Sequence, residues 1–435
     1  MIDIKDLRER PDFYKKNLSK RGVDDKTVNY LINLDEEWRK TKKEVDDLRS
    51  SRNRISEEIN KAKKQGKQIT GLVKEAKDIP EKLKRKEEQL KDFEEKRVLI
   101  WKNIPNVVAK DVLAGGEEKN KILKTFGKPS KKKLEKGHAE IMEALDLIDT
   151  EKASQVSGSR FYYLKNDLVK LNFALINFSI DFLSKKGLQP IQTPYMLNRK
   201  ALEGAITLDA FEEAIYKIEN EDLYLIGTAE HAINAFKSNE VLDAKELPLR
   251  FVGFSTNFRK EAGAHGKDTK GIFRVHQFDK IEQFVFCKPE DSWKEFDFLL
   301  KNSIEIYKAL KIPFRVVVLS SMGMGRTATK TIDLEGWYPS QRKYRELGSC
   351  SNCLDYQARR SNIRYQKGDE VNFVHTINNT AIATERMMTC IIENNLQSDG
   401  SVKIPTVLQK YMQGKKFIGK LDKKPAKSKK KGKKK

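Results

Sequence analysis

The stretch from Phe251 to Cys287 holds the densest set of side chains able to do chemistry. Phe251–Glu261 alternates in the manner of a β-strand. Arg274–Cys287 resumes the alternation after a glycine-punctuated loop, Ala262–Gly271, so the spacing predicts a strand–long loop–strand hairpin. Period two places Arg274, His276, Phe278, Lys280 and Glu282 on one face of the second strand, and Arg259 with Glu261 on one face of the first. Such a face makes a poor core, because unpaired charge is costly to bury. It makes a good ligand platform. Arginine grips a phosphate or a carboxylate with two parallel hydrogen bonds. Phenylalanine offers a flat surface to a base, and glutamate can hold an amine or a hydroxyl. The same pattern also suits an exposed sheet face covered by ion pairs.

Further words in the chain bear on that choice. Phe258-Arg259-Lys260-Glu261-Ala262-Gly263, followed by Arg274-Val275-His276-Gln277-Phe278, closely resembles motif 2 of class II aminoacyl-tRNA synthetases in its seryl form. The resemblance extends along almost the whole chain. Gly187-Leu188 through Pro194 is similar to motif 1, whose proline lies at the dimer interface in the family. Thr228-Ala229-Glu230 resembles the triplet with which the seryl members bind serine. Arg345-Glu346-Leu347-Gly348-Ser349-Cys350 resembles their nucleotide and metal strand. Asn378-Asn379-Thr380 through Arg386 and on to Glu393-Asn394 resembles motif 3.

The resemblance implies an α+β chain: an antiparallel helical coiled-coil arm, then a class II domain with a mixed, mainly antiparallel sheet flanked by helices. It implies a serine–tRNA ligase that forms seryl-adenylate from ATP and passes serine to tRNA(Ser). Mg2+ would accompany ATP, and the enzyme would be a homodimer. Arg259 would hold the α-phosphate and the serine carboxylate, and Arg386 would meet the γ-phosphate; these two are the catalytic residues. Glu261 would contact the adenine amino group, and Phe278 and Arg386 would sandwich the ring. Arg274 would neutralise phosphate charge. Lys260, Val275, Leu347 and Gly348 complete the implied ATP site, with Glu346 and Ser349 on the metal. Thr228, Ala229, Glu230, Arg259, Glu282, Asn378 and Thr380 would bind serine.

These roles suit the chemistry. A carboxylate attacks phosphorus in line, and both partners are negative, so arginines and a metal must offset their repulsion. Positioning carries the step, and no general base is assigned. A buried Glu282 bonded to the serine hydroxyl would reject alanine, which leaves that charge unpaired.

Read singly, some of these residues have plainer meanings. Thr228 suits a helix N-cap ahead of Ala232, Ile233 and Phe236. His276 reads as a packing residue. Three places depart from the family pattern: Met322-Gly323 where Gly-Asp is frequent, Gln409-Lys410-Tyr411-Met412 where Arg-Pro-Tyr-Met is frequent, and Glu385 where a small residue is usual. A carboxylate at 385 adds negative charge near the nucleotide unless it points outward.

The elements that must position this site begin with two long helices. Leu31, Leu34, Trp38, Val45, Leu48, Ile55, Ile59 and Ala62 recur at spacings of three, four or seven between charged residues, predicting a helix over about 28–62 with a narrow apolar seam. A second stripe, Leu72 to Phe93, predicts a partner helix ending near Trp101, kinked or restarted at Pro80. Helices of about 35 residues are ~50 Å long. Such a hairpin has too little core to be catalytic, so it is an arm: a spacer or dimerisation element, or, being rich in Lys and Arg, a reach device for an anionic partner. The resemblance identifies it with the family's tRNA-binding arm. The divisions expected are 1–108 for the arm, 109–137 for a linker, 138–414 for the catalytic domain and 415–435 for a disordered tail.

Composition agrees with a large domain plus a second module. The chain has 435 residues, 38% hydrophobic and 34% charged, with a net charge of +23. The last 21 residues contain twelve lysines and one aspartate, which favours association with polyanions. No apolar run approaches the ~20 residues that span a bilayer. The charged N-terminus is unlike a signal peptide, so the expected compartment is the cytoplasm. Cys350 and Cys353 have the C-x-x-C spacing, but no second pair follows, and the four cysteines read as reduced. Two rivals remain at this stage: a synthetase-like binding protein that has lost aminoacylation, and a ligase that charges a carrier protein. The first conflicts with the complete ATP and serine constellation, the second with the long basic arm.

Overall fold

The computed structural model describes residues 1–131, 133–207, 214–262 and 270–419. The apex of the predicted loop, residues 263–269, and the lysine tail from Lys420 onward lie outside the described residues.

The arm is a pair of helices, α1 (Asp25–Lys64) and α2 (Thr70–Asn103). Asp24 caps α1 by accepting from the Thr27 backbone N–H. Val28, Leu31, Leu34, Val45 and Ile55 of α1 are buried, with Ile79 and Leu83 of α2. Two cross-arm ion pairs, Arg49–Glu87 at 2.7 Å and Lys86–Glu44 at 2.6 Å, add register more than stability. The helix does not restart at Pro80: α2 runs through it. Pro80 is exposed between buried Ile79 and Leu83, whose packing outweighs one lost backbone bond.

A feature that the apolar stripes did not show lies at the arm's base. Asp35 is fully buried, paired with Arg8 at 2.6 Å, Arg97 at 2.6 Å and Arg39 at 3.1 Å. Burial works against its charge, yet the arginines hold the carboxyl below its usual range. The guanidinium of Arg97 also lies 3.9 Å from the centre of a Trp38 ring. The base is seated on the rest of the chain. Ile2, Leu7, Leu18, Leu31 and Ile104 share an apolar cluster with Tyr356, and the Asn106 side-chain amide donates to Thr327 O and Cys353 O.

The second region is built on eight strands: β1 (Lys121–Phe126), β2 (Gln189–Gln192), β3 (Leu249–Phe258), β4 (Gln277–Cys287), β5 (Phe314–Val318), β6 (Lys330–Tyr338), β7 (Lys343–Leu354) and β8 (His375–Ala383). Their order is β1-β5-β6-β7-β8-β4-β3-β2. Every neighbouring pair is antiparallel except β2 with β3, giving the mixed, mainly antiparallel sheet expected. The stretch 109–137 contributes β1, an exposed edge strand whose Lys121 and Lys124 hid it from a search for apolar alternation.

Helices α3 (Asn166–Ser184), α5 (Ser292–Leu310) and α6 (Thr384–Asn395) share one large apolar cluster with the sheet. Helix α4 (Ala229–Phe236) belongs to a second cluster with Phe251, Phe284 and Phe286. Strand β4 explains the division. Ile281, Val285 and Cys287 enter the large cluster, while Phe284 and Phe286 enter the second. Phe278, Lys280 and Glu282 have the parity of the second face, and there the core gives way to the site.

The hairpin strands are shorter than predicted. The first ends at Phe258 and the second begins at Gln277, so Arg259, Glu261, Arg274 and His276 lie just outside them. Glu261 has φ 49°, in the left-handed region that strands do not use. A backbone bond continues the contact: Arg259 N donates to His276 O at 2.9 Å.

Candidate active site

Two cavities adjoin, and Arg259, Lys280, Glu346 and Thr380 line both. The first, about 530 Å³, carries Glu261, Arg274, Phe278, Glu385 and Arg386. Two of its arginines rest on rings: Arg259 lies 5.3 Å from the centre of Phe278, and Arg386 lies 5.2 Å from that of Phe273. This combination of cations and flat apolar faces suits a nucleotide. Arg386 pairs with Glu346 at 3.2 Å, and Arg274 with Glu261 at 2.9 Å. The guanidinium of Arg386 is the chief reason the Glu346 carboxyl titrates below its ordinary value.

The second cavity, about 860 Å³, carries Glu230, Glu282, Asp333, Ser349 and Asn378. Lys280 is its hub. The Lys280 ammonium donates to Thr228 Oγ1 at 2.7 Å and pairs with Glu282 at 2.7 Å. Thr380 Oγ1 donates to the other side of the site, reaching Glu282 Oε2 at 3.2 Å. Glu230 Oε1 accepts from Gln357 Nε2 at 2.6 Å and Asn378 Nδ2 at 3.1 Å. Burial, reinforced by Glu282, pushes the Glu230 carboxyl up to about 7. Burial and the neighbouring Arg259 and Lys280 drive His231 down to about 3, so it is neutral.

Residues 1–108 match the model of the seryl-tRNA synthetase N-terminal domain, and residues 213–395 match that of the class II tRNA synthetase core domain (G, H, P, S and T). The serine–tRNA ligase of Thermoplasma volcanium is 45% identical over 433 residues, covering 94% of this chain and 98% of that protein. That of Nitrosopumilus maritimus is 46% identical over 422 residues, covering 96% and 100%. The chain belongs to the seryl-tRNA synthetase family. The crystal structure of seryl-tRNA synthetase from Pyrococcus horikoshii complexed with ATP superposes with a TM-score of 0.90 at 42% identity, covering 97% of this chain and 100% of that one. The cytoplasmic serine–tRNA ligase of Naegleria fowleri in complex with AMP gives 0.84 at 41%, covering 96% and 98%.

Within this synthetase fold most of the expected residues converge. Arg259, Glu261, Arg274, Val275, Phe278, Glu346, Leu347, Gly348 and Arg386 line the first cavity; Glu230, Arg259, Glu282, Ser349, Asn378 and Thr380 line the second. Gly348 is required by close approach, since a Cβ there would meet Thr380 O at 2.8 Å. Thr228 caps α4, accepting from Glu230 N at 3.2 Å, and its Oγ1 also accepts from Lys280. Thr228, Ala229 and Lys260 line neither cavity. Ala229 packs in the second apolar cluster, so its side chain serves the core. Lys260 is exposed, and its backbone N–H is spent on Ala214 O. His276 packs, donating from Nδ1 to Arg259 O at 2.9 Å and meeting the Phe161 ring.

Glu385 corrects an expectation. It points inward, with 2% of its surface exposed, yet it brings little charge. Its carboxyl accepts from Tyr162 OH at 2.6 Å, from Asp279 N at 3.0 Å and from Thr384 Oγ1 at 3.1 Å. Burial, with the nearby Asp279, pushes it up to about 8, so the neutral acid predominates at pH 7.

Sequence reasoning put Lys280 on the right face but gave it no role, and it missed Gln357 and Asp333. The signal for Lys280 was its parity with Glu282. Gln357 carried none, because its partners Glu230, Ala205 and Thr376 are 127, 152 and 19 residues away.

Proposed function

We propose that this chain activates serine with ATP in the two adjoining cavities and transfers it to tRNA(Ser). One observation carries the reading: Arg259 lines both cavities, where a serine carboxylate and an ATP α-phosphate must meet. The first cavity takes the nucleotide, with adenine between Phe278 and Arg386, Glu261 at its amino group and Arg274 on phosphate. The second takes serine. Thr228 and Glu230 receive its ammonium, Glu282 and Thr380 lie by its hydroxyl, and Asn378 steadies Glu230. Arg259 then serves twice, gripping nucleophile and electrophile and removing their mutual repulsion.

The oxygen donors near the phosphate region suit Mg2+. Ser349 Oγ donates to Asp333 Oδ1 at 2.6 Å and lies 3.3 Å from Glu346 Oε1. Among the described residues no three His, Cys, Asp or Glu form a ready-made metal cluster. Glu346 and Ser349 would therefore hold the ion jointly with ATP, the usual habit of magnesium. When bound, it supplies positive charge to the phosphates.

The arm, α1 and α2, receives the tRNA by shape and backbone charge. The working form is a homodimer joined near the edge strand β2 and Pro194. No helix among the described residues is long and apolar enough to cross a membrane, and we assign the enzyme to the cytoplasm. The whole function is tested by incubating the protein with ATP, Mg2+, labelled serine and total tRNA. Label in acid-precipitable, base-labile form is expected on serine-accepting tRNA. Label on protein, or none at all, would refute the assignment.

A further inference from the structure

A six-residue helix, Tyr356–Ser361, lies between the seat of the arm and the serine cavity. Its residues grip both. Tyr356 is fully buried, donates from its hydroxyl to Ile104 O at 2.6 Å, and belongs to the apolar cluster at the arm's base. Arg360 donates to Lys102 O at 3.0 Å, just inside the end of α2, and to Ile206 O at 2.7 Å. Residues 356 and 360 are one turn apart and share a side. Gln357, in the same turn, reaches the serine cavity through Glu230.

Gln357 is fully buried, and its amide is oriented by three bonds. The Ala205 carbonyl can only accept, so the end facing it is Nε2, and Oε1 is left to accept from Thr376 Oγ1 at 2.6 Å. Nε2 donates to Glu230 Oε1 at 2.6 Å and to Ala205 O at 3.2 Å. Glu230 therefore has a partner on a helix locked to the arm as well as one, Asn378, on β8. A carboxylate with two converging donors has little freedom to rotate.

We propose that Gln357 is a positioning residue for serine recognition: its amide aims Glu230 at the substrate ammonium, from a helix fixed by the same residues that seat the arm. The proposal rests on the assignment of Glu230 to serine made above. Gln357 itself touches no substrate. Its loss would leave ATP binding intact and weaken serine binding, since the nucleotide cavity has no lining residue from this helix.

The test is ATP–pyrophosphate exchange on the full chain, comparing Gln357→Met, Gln357→Glu and Glu230→Gln. Met fills the space without a donor. Glu keeps the acceptor for Thr376 but turns the donor into a like charge. Serine KM is expected to rise about tenfold in Q357M, the scale of one charge-assisted hydrogen bond, and further in Q357E. The ATP KM should stay within about twofold, which also shows that the site is folded. Should Q357M fail to fold, Gln357→Asn, which withdraws the amide by one methylene, should show the same split. An unmoved serine KM in every Gln357 variant, beside a raised one in E230Q, would overturn the proposal alone. So would equal rises for serine and ATP. An unmoved serine KM in E230Q would overturn the Glu230 assignment, and this proposal with it.

Discussion

The Lys280 ammonium stands 2.7 Å from Glu282 Oε2, and the two side chains are 7% and 2% exposed. Buried charges persist when paired and hydrogen-bonded, and this pair is closed by Thr228 on one side and Thr380 on the other. The pair leaves Glu282 as an oriented acceptor for a small hydroxyl. Glu282→Ala is expected to lower kcat/KM for serine by about 10³-fold or more and to erase most discrimination against alanine. Exchange assays with both amino acids measure it; retained preference for serine would remove Glu282 from the hydroxyl.

The acidity of Glu230 sets a pH dependence. The groups facing it are Arg259, Lys280 and Glu282, with Cys353, whose thiol burial holds in the protonated form. With its carboxyl near 7, Glu230 is largely neutral in mild acid and charged in mild base. Only the charged form attracts an ammonium. Serine KM should therefore fall as pH rises through about 7, and the ATP KM should not follow. Glu230→Gln should flatten the serine profile.

Glu385 makes an opposite kind of prediction, on stability. Its folded-state acidity, near 8, is weaker than that of an unfolded glutamate. Folding thus favours the protonated form, and the contribution to stability present at low pH is lost as pH rises through about 8. Glu385→Gln, neutral at every pH, should match the wild type near pH 5 and exceed its Tm by several degrees near pH 9. A Tm difference independent of pH would contradict the buried neutral acid.

Some of this was legible in the sequence, and the rest was not, for physical reasons. Phe278, Lys280 and Glu282 were legible because a strand sorts its side chains by parity. The arm was legible because a seam repeats. Asp35 and Arg97 were hidden, since charges at a helix seam look like surface until the partners converge from Arg8 to Arg97. Strand β1 was hidden by its exposure. Gln357 was hidden because a lone glutamine acquires meaning only from Glu230 and Thr376 beside it. Local periodicity is written in neighbours; a positioned carboxylate is written in long-range contacts.

The arm's geometry refines a truncation test. Removing it back to Ile104 would strip the cluster around Tyr356 and unseat the helix that carries Gln357. Arg49 and Glu87 face each other at 2.7 Å, so replacing residues 50–86 with a short glycine linker removes the distal arm alone. That variant should form seryl-adenylate at near wild-type rate and lose nearly all tRNA charging. Equal loss of both activities would contradict the division of labour.

The most direct measurement is ATP–pyrophosphate exchange with Mg2+, offering serine, threonine, alanine and glycine in turn, beside Arg259→Ala. The account predicts strong exchange with serine alone, and a fall of roughly 10³-fold in the variant, since Arg259 joins the two cavities. Exchange with serine that survives in Arg259→Ala, or no exchange with any of the four amino acids, would contradict it.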